Sequence, residues 1–136
     1  MNQYFKALLA EQTEMALATS VKDIPNVRIV NFYYDEETKK LFFISFKNSH
    51  KIQELATNNR IALTTVPKGD GRYARIQGIV KESQFSIEDI RSVFVQKHPY
   101  YQEIIEQHID SLQLFEVSFS DAFLVLDNNQ VEKIKL

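Results

Sequence analysis

Most apolar residues of this chain fall in short β-rich runs, and four stretches depart from that pattern with helical spacing. MNQYFKALLAEQTEM reads as an amphipathic helix, with Lys6, Glu11 and Glu14 as its charges. MALATSV (15–21) follows as a strand, and the turn KDIP leads into the long β-rich run NVRIVNFYYD (26–35). The turn EETK returns the chain through KLFFISF (40–46), so these two runs are expected to pair antiparallel. A short helix over about 50–57 precedes RIALTTV (60–66), the loop KGDGR and YARIQGIVKES (73–83). SIEDIRSVFVQKH (86–98) is the clearest helix: Ser86 and Asp89 have capping-box spacing, Ile87, Ile90, Val93 and Phe94 share a face, and Pro99 ends it. Residues 100–110 continue a helical pattern. The run 112–127 reads as one strand bent at Ser120-Asp121, and VEKIKL as a weak terminal strand. The expected fold is mainly β with flanking helices, a single domain over 1–136 built on an antiparallel six-stranded β-barrel whose closure removes exposed edges.

One junction conflicts with ordinary helix chemistry. In SFKNSHK (45–51), Asn48 or Ser49 is the N-cap, and the helix then opens with His50 and Lys51. A helix N-terminus carries partial positive charge and unpaired N–H groups, so a lysine there costs up to about 1 kcal/mol. A bound anion would reverse that sign.

Composition narrows the possibilities. The 136 residues include 44% hydrophobic and 25% charged residues with only three glycines and three prolines, which marks a compact globular chain. A net charge of −2 offers no general attraction to nucleic acid or acidic membranes, so an anion site must be local. The lack of cysteine excludes disulfides, a thiol nucleophile and thiolate metal sites. No apolar run spans a membrane and the first helix is not a secretion signal, so a cytoplasmic location is expected, with neither nucleic acid nor membrane as partner.

The series VRIV, FFISFKNSHK, NNRIALTTV and RYARIQGIV resembles the flavin-binding split barrel of the pyridoxamine 5′-phosphate oxidase type. Order and spacing agree over about residues 15–83, and FEVSFSDAFLVLD is similar in placement. Two blocks carry the likeness. Ser45, the triplet Ser49-His50-Lys51 and Asn59-Arg60 resemble the family's strand-ending hydroxyl, Ser-Arg-Lys triplet and Asn-Pro; Arg72 to Gly78 resembles its Arg-Gln-Val-Arg-Val/Ile-Glu-Gly block.

The resemblance implies a split barrel binding FMN, its phosphate at the helix entrance. Lys51 and the Ser49 hydroxyl would be phosphate ligands, joined by Arg28 on a neighbouring strand, whose planar fork suits a two-pronged contact. His50 stands where the family often has arginine and implies a weaker, pH-dependent contact. Ser45 would reach the flavin ring system or its phosphate. Tyr73 replaces a flavin-contacting glutamine of the oxidase, and a tyrosine there could stack or donate a hydrogen bond. Arg75 reads as pairing with a carboxylate or lining a subunit contact, and Gln77 as a surface position. His98 and His108 lie on separate helices without a second ligand at metal spacing, so no metal site is expected.

Departures from the oxidase limit the chemistry. No lysine occurs between Arg28 and Thr38, and the end, DNNQVEKIKL, has no Arg-x-His. Oxidation of pyridoxamine phosphate is therefore not expected, and no residue is assigned as catalytic. Two readings stand: an FMN-dependent oxidoreductase passing a hydride or electrons between a small-molecule donor and an acceptor, or a flavin or haem carrier or sensor without turnover. The resemblance also implies a homodimer with the flavin at the subunit contact. The 16 aromatic residues and the apolar 86–110 segment supply surface for it.

Overall fold

The computed structural model describes residues 2–127 and 129–136. In chain order the elements are α1 (Asn2–Glu11), β1 (Glu14–Val21), β2 (Ile24–Asn31), β3 (Tyr33–Asp35), β4 (Lys40–Phe46), α2 (His50–Thr57), β5 (Arg60–Thr65), β6 (Tyr73–Glu82), α3 (Ile87–Lys97), α4 (Tyr101–His108), β7 (Leu112–Ser118), β8 (Asp121–Asp127) and β9 (Gln130–Lys135). Every pairing is antiparallel, in the order β2-β1-β5-β6-β7-β4-β3, with β8 joining β6 and β9 joining β8. Among the described residues no helix is long and apolar enough to cross a membrane.

The mainly β architecture with flanking helices is as expected, but among the described residues the sheet has nine strands and is split rather than closed. Three runs account for the difference. The run 26–35 divides at Phe32, whose side chain is fully buried and whose N–H donates to the Thr13 carbonyl. Driving that ring into the core turns the backbone, so β2 stays on β1 while β3 pairs with β4. The expected pairing of 26–35 with 40–46 therefore holds only for Tyr33 to Asp35. The run 112–127 divides at the anticipated bend into β7 and β8, and the weak terminal strand is a regular partner of β8.

Gly78 lies at this bend. On one edge β6 pairs first with β8 and then with β7. A Cβ at Gly78 would sit 2.6 Å from the Ser118 carbonyl oxygen and 3.0 Å from Val117 Cγ1. Only glycine lets the crossing chain come so close.

Strand alternation then builds two cores. Met15, Leu17, Ile61, Leu63, Ala74 and Ile76 point inward, where they meet Leu41, Phe43, Phe115 and Leu55 of α2. On the other side of β4 and β7, Phe42, Ile44, Leu112 and Leu114 are covered by Ile87, Ile90, Phe94 and Ile105 of α3 and α4. The expected capping box of Ser86 and Asp89 is present. β4 is thus buried on both faces, which is why KLFFISF is an unbroken apolar run.

Candidate functional site

Ser45 shares its face of β4 with Leu41 and Phe43, so it ends the strand on the inner side of the sheet. The chain then turns through 46–49 into α2, with the Ser49 N–H donating to the Phe46 carbonyl at 3.1 Å. Ser49 is the N-cap, but its hydroxyl makes no cap hydrogen bond and the first turn contains no acidic residue. It faces Ser45 instead, with the two hydroxyl oxygens 3.1 Å apart. Lys51 folds back over the same turn and donates from Nζ to Ser45 Oγ at 2.6 Å. Two hydroxyls and an ammonium thus converge at an uncapped helix N-terminus.

Lys51 is partly buried. Burial, and after it the charge of Arg28, lower its pKa from the ordinary lysine value. Among the described residues it has no carboxylate partner within ion-pair distance. A negative group placed there would stabilise the ammonium and so oppose the shift.

Arg28 pairs in register with Leu17, so it too projects inward from β2. One terminal nitrogen donates to Thr19 Oγ1 at 2.9 Å and to the Leu17 carbonyl at 3.3 Å, while the other donates to Glu54 Oε1. The second Glu54 oxygen accepts from Asn26 Nδ2 at 3.4 Å. Burial raises the pKa of the Glu54 carboxyl, but the Asn26 amide, the Arg28 guanidinium and the charge of His50 outweigh it and hold the pKa below the usual range. Glu54 is one helical turn beyond Lys51 and shares its face of α2.

The structure therefore brings together Ser45, Ser49 and Lys51, with Arg28 beside them through its charge and through Glu54. His50 is exposed on the outer side of the first turn. Tyr73 is apart from the cluster: it precedes buried Ala74 on β6, so it shares the outer face with Arg75 and Gln77. Arg75 stacks over the Phe123 ring at 5.6 Å and pairs with no carboxylate among the described residues. His98 is buried with Nε2 2.8 Å from the Phe32 carbonyl oxygen, and His108 lies edge-on to Phe46. Glu54, Thr19 and Asn26 are additions that sequence reasoning missed. Only the spacing of Glu54 to Lys51 could have signalled one of them.

The outer face of the same strands has another character. Ala16 and Ala18 of β1, Ala62 and Thr64 of β5, and Arg75 and Gln77 of β6 form the floor of a cleft of about 440 Å³ walled by Val27 and Phe123. A second cleft of about 820 Å³ adjoins it at Ala18, Ala62 and Gln77. Ile24, Val27 and Ile29 remain 70%, 61% and 55% exposed beside them.

Residues 8–130 match the family model described as pyridoxamine 5′-phosphate oxidase-like. No curated protein matches the sequence. A NimC/NimA family protein from Clostridium acetobutylicum superposes with a TM-score of 0.71 at 18% identity, over 100% of this chain and 92% of that one. A heme-binding protein from Mycobacterium smegmatis superposes at 0.76 with 11% identity, covering 94% of this chain and 55% of that one. A FAD-binding protein from Mesorhizobium loti gives 0.63 at 15% identity, with coverage of 90% and 91%. At such identities the structures share the fold with this chain. The donors at the start of α2 fit a phosphate in number and charge, since Lys51 has no carboxylate partner among the described residues, the hydroxyls of Ser45 and Ser49 flank it, and the helix N-terminus has no side-chain cap.

Proposed function

As the chain belongs to the pyridoxamine 5′-phosphate oxidase-like family, we propose that it binds FMN through its phosphate and serves as a flavin-dependent oxidoreductase. The carrying observation is the convergence of Ser45, Ser49 and Lys51 on a helix entrance that has neither an acidic residue nor a side-chain cap. Lys51 supplies the charge, the two hydroxyls orient phosphate oxygens, and backbone N–H groups of the first turn complete the set. Arg28 adds a second cation from β2. Bound flavin would supply the electron or hydride transfer, and the chain would hold and orient it. The lack of a lysine between Arg28 and Thr38 directs the reading away from pyridoxamine phosphate as substrate.

The reading includes a homodimer formed through the outer face. The two clefts and exposed Ile24, Val27 and Ile29 form a continuous surface that a second copy would cover by two-fold symmetry, with the flavin running from the helix entrance past the β2 edge to the contact.

Titration with FMN and with riboflavin tests the phosphate site, and FMN is expected to bind much more tightly. Equal affinities would refute it. Bleaching of the bound flavin by NADH or NADPH without oxygen would support turnover. Colour without bleaching would favour the second reading, a flavin or haem carrier or sensor. That reading draws on the same anchoring groups, which bind but do not react, and on the fold shared with the heme-binding protein.

A further inference from the structure

The two cations of the site are not equivalent. Among the described residues Lys51 has only a hydroxyl as its partner. Arg28 is held on three sides: the Leu17 carbonyl, the Thr19 hydroxyl and the Glu54 carboxylate take three of its five N–H groups. Glu54 has Lys51 and the His50 imidazole one turn back on α2 and Arg28 across from it. It makes its ion pair with Arg28, and Asn26 steadies its other oxygen. The pair is largely shielded, with the two side chains 20% and 10% exposed. Charge at the helix entrance therefore sums to about +1, from Arg28, Lys51 and Glu54, where the two cations alone would give +2.

We propose that Glu54 is an internal rival of the ligand's phosphate: its carboxylate occupies the Arg28 guanidinium that the phosphate would otherwise engage, and so sets how strongly a phosphate-bearing ligand is preferred. The inference rests on the phosphate reading of the site. A dianion that approaches Lys51 meets a like charge on Glu54 one helical turn away, and it gains Arg28 only by sharing or displacing that carboxylate. Charge-assisted hydrogen bonds are roughly twice as strong as neutral ones, so the exchange is close to balanced and the side chain at position 54 decides it. A purely positioning role for Glu54 predicts the opposite result, because loss of its charge would then loosen Arg28 and weaken binding.

Glu54→Gln separates the two. The amide keeps the length of the side chain and an oxygen for Arg28 but drops the charge. Affinities of wild type and Glu54→Gln for FMN and riboflavin are read by quenching of flavin fluorescence. The variant is expected to bind FMN about tenfold more tightly with riboflavin unchanged, the shift that one charged contact confers. If wild type prefers FMN but the variant shows an unchanged or lower preference, the rivalry is overturned and the phosphate site stands. If wild type shows no preference for FMN, both are overturned. A second measurement does without Glu54→Gln: the guanidinium resonance of wild type that is assigned by its loss in Arg28→Lys should shift on adding FMN and remain in place with riboflavin. A resonance that FMN leaves unmoved overturns the rivalry even if Glu54→Gln does not fold.

Discussion

The two faces of the β1–β2 hairpin carry opposite chemistry, although the same eight register pairs build both. On the inner face Arg28 and Thr19 meet Glu54, with Lys51 and the two serines beside them, and nearly every polar group has a partner. On the outer face Ala16 and Ala18 lie beside Val27 and Ile29, and apolar surface is left uncovered. The period of two places Arg28 and Val27 on opposite sides of one strand, so a single run would serve both the proposed anion site and the proposed contact surface. Polar groups at a rigid strand end can wait for a ligand because their hydrogen bonds are satisfied meanwhile. Exposed apolar residues have no such provision and depend on a partner for cover.

The largest expected effect lies on the outer face. Ala62 lines both clefts, and Ala62→Glu would place a charge within the proposed two-fold contact. Wild type should scatter light with about twice the 15.9 kDa chain mass at micromolar concentration, and the variant with the mass of one chain. Circular dichroism of the variant should be unchanged, because position 62 is exposed and outside the core. A wild-type monomer that still binds FMN stoichiometrically would remove the outer face from the account and leave the site within one chain.

On the inner face, Lys51→Ala removes the cation without a carboxylate partner. It should weaken FMN by about 1.5–3 kcal/mol, at least tenfold, and leave riboflavin almost unaffected. Since the lysine is partly buried and has its pKa lowered, the variant should also fold at least as stably as wild type. Unchanged FMN affinity would show that the phosphate binds elsewhere and that the two faces do not divide the work as described.

Much of this division was legible in the chain, for reasons that can be traced to particular residues. Ser49-His50-Lys51 stands out because it reverses the usual charge preference of a helix start, and that is a local signal. The inward direction of Arg28 follows from alternation. Its pairing with Glu54 does not, because it joins residues 26 positions apart and depends on how α2 lies against β2. The split at Phe32 was hidden for a similar reason. NVRIVNFYYD is rich in residues of high β propensity, and the break beside Asn31 comes from burial of one ring in a core that other strands build. Tyr73 was read as a flavin contact by likeness to a glutamine of the oxidase, and parity along β6 places it on the outer face, apart from the helix entrance.

A smaller effect tests whether the seam between the faces is as tight as it looks. Gly78→Ala would press a methyl group against the Ser118 carbonyl, a backbone atom that can yield only if the β7–β8 bend moves. The expected cost is about 1–3 kcal/mol, read as a lower urea midpoint with unchanged slope. Gly69→Ala has open space around it and should be close to neutral. Equal behaviour of the two variants would mean that the bend adapts freely.

The smallest expected effect compares Lys51 with the other partly buried lysine of lowered pKa, Lys97 at the end of α3. Burial, and after it the charge of Lys68, lower the Lys97 pKa to about 8. Its ammonium donates to the Leu9 carbonyl at 2.8 Å and stands 4.0 Å over the Phe32 ring, two contacts that favour the charged form. The folded-state pKa lies below the unfolded value of 10.5, so between about pH 8 and 10 the unfolded chain holds more protons at this position, and stability should rise with pH. Below about pH 8 both states are protonated and the contribution is flat. Lys97→Met removes the titration while keeping most of the side chain's bulk. The thermal midpoint of wild type should therefore climb relative to the variant from pH 8 to pH 10, and tyrosine ionisation, common to both proteins, cancels in the difference. Parallel curves would mean that the Leu9 carbonyl and the Phe32 ring hold Lys97 at its ordinary pKa. Lys51, which has neither contact, would then be the one lysine of the two whose charge waits on a ligand.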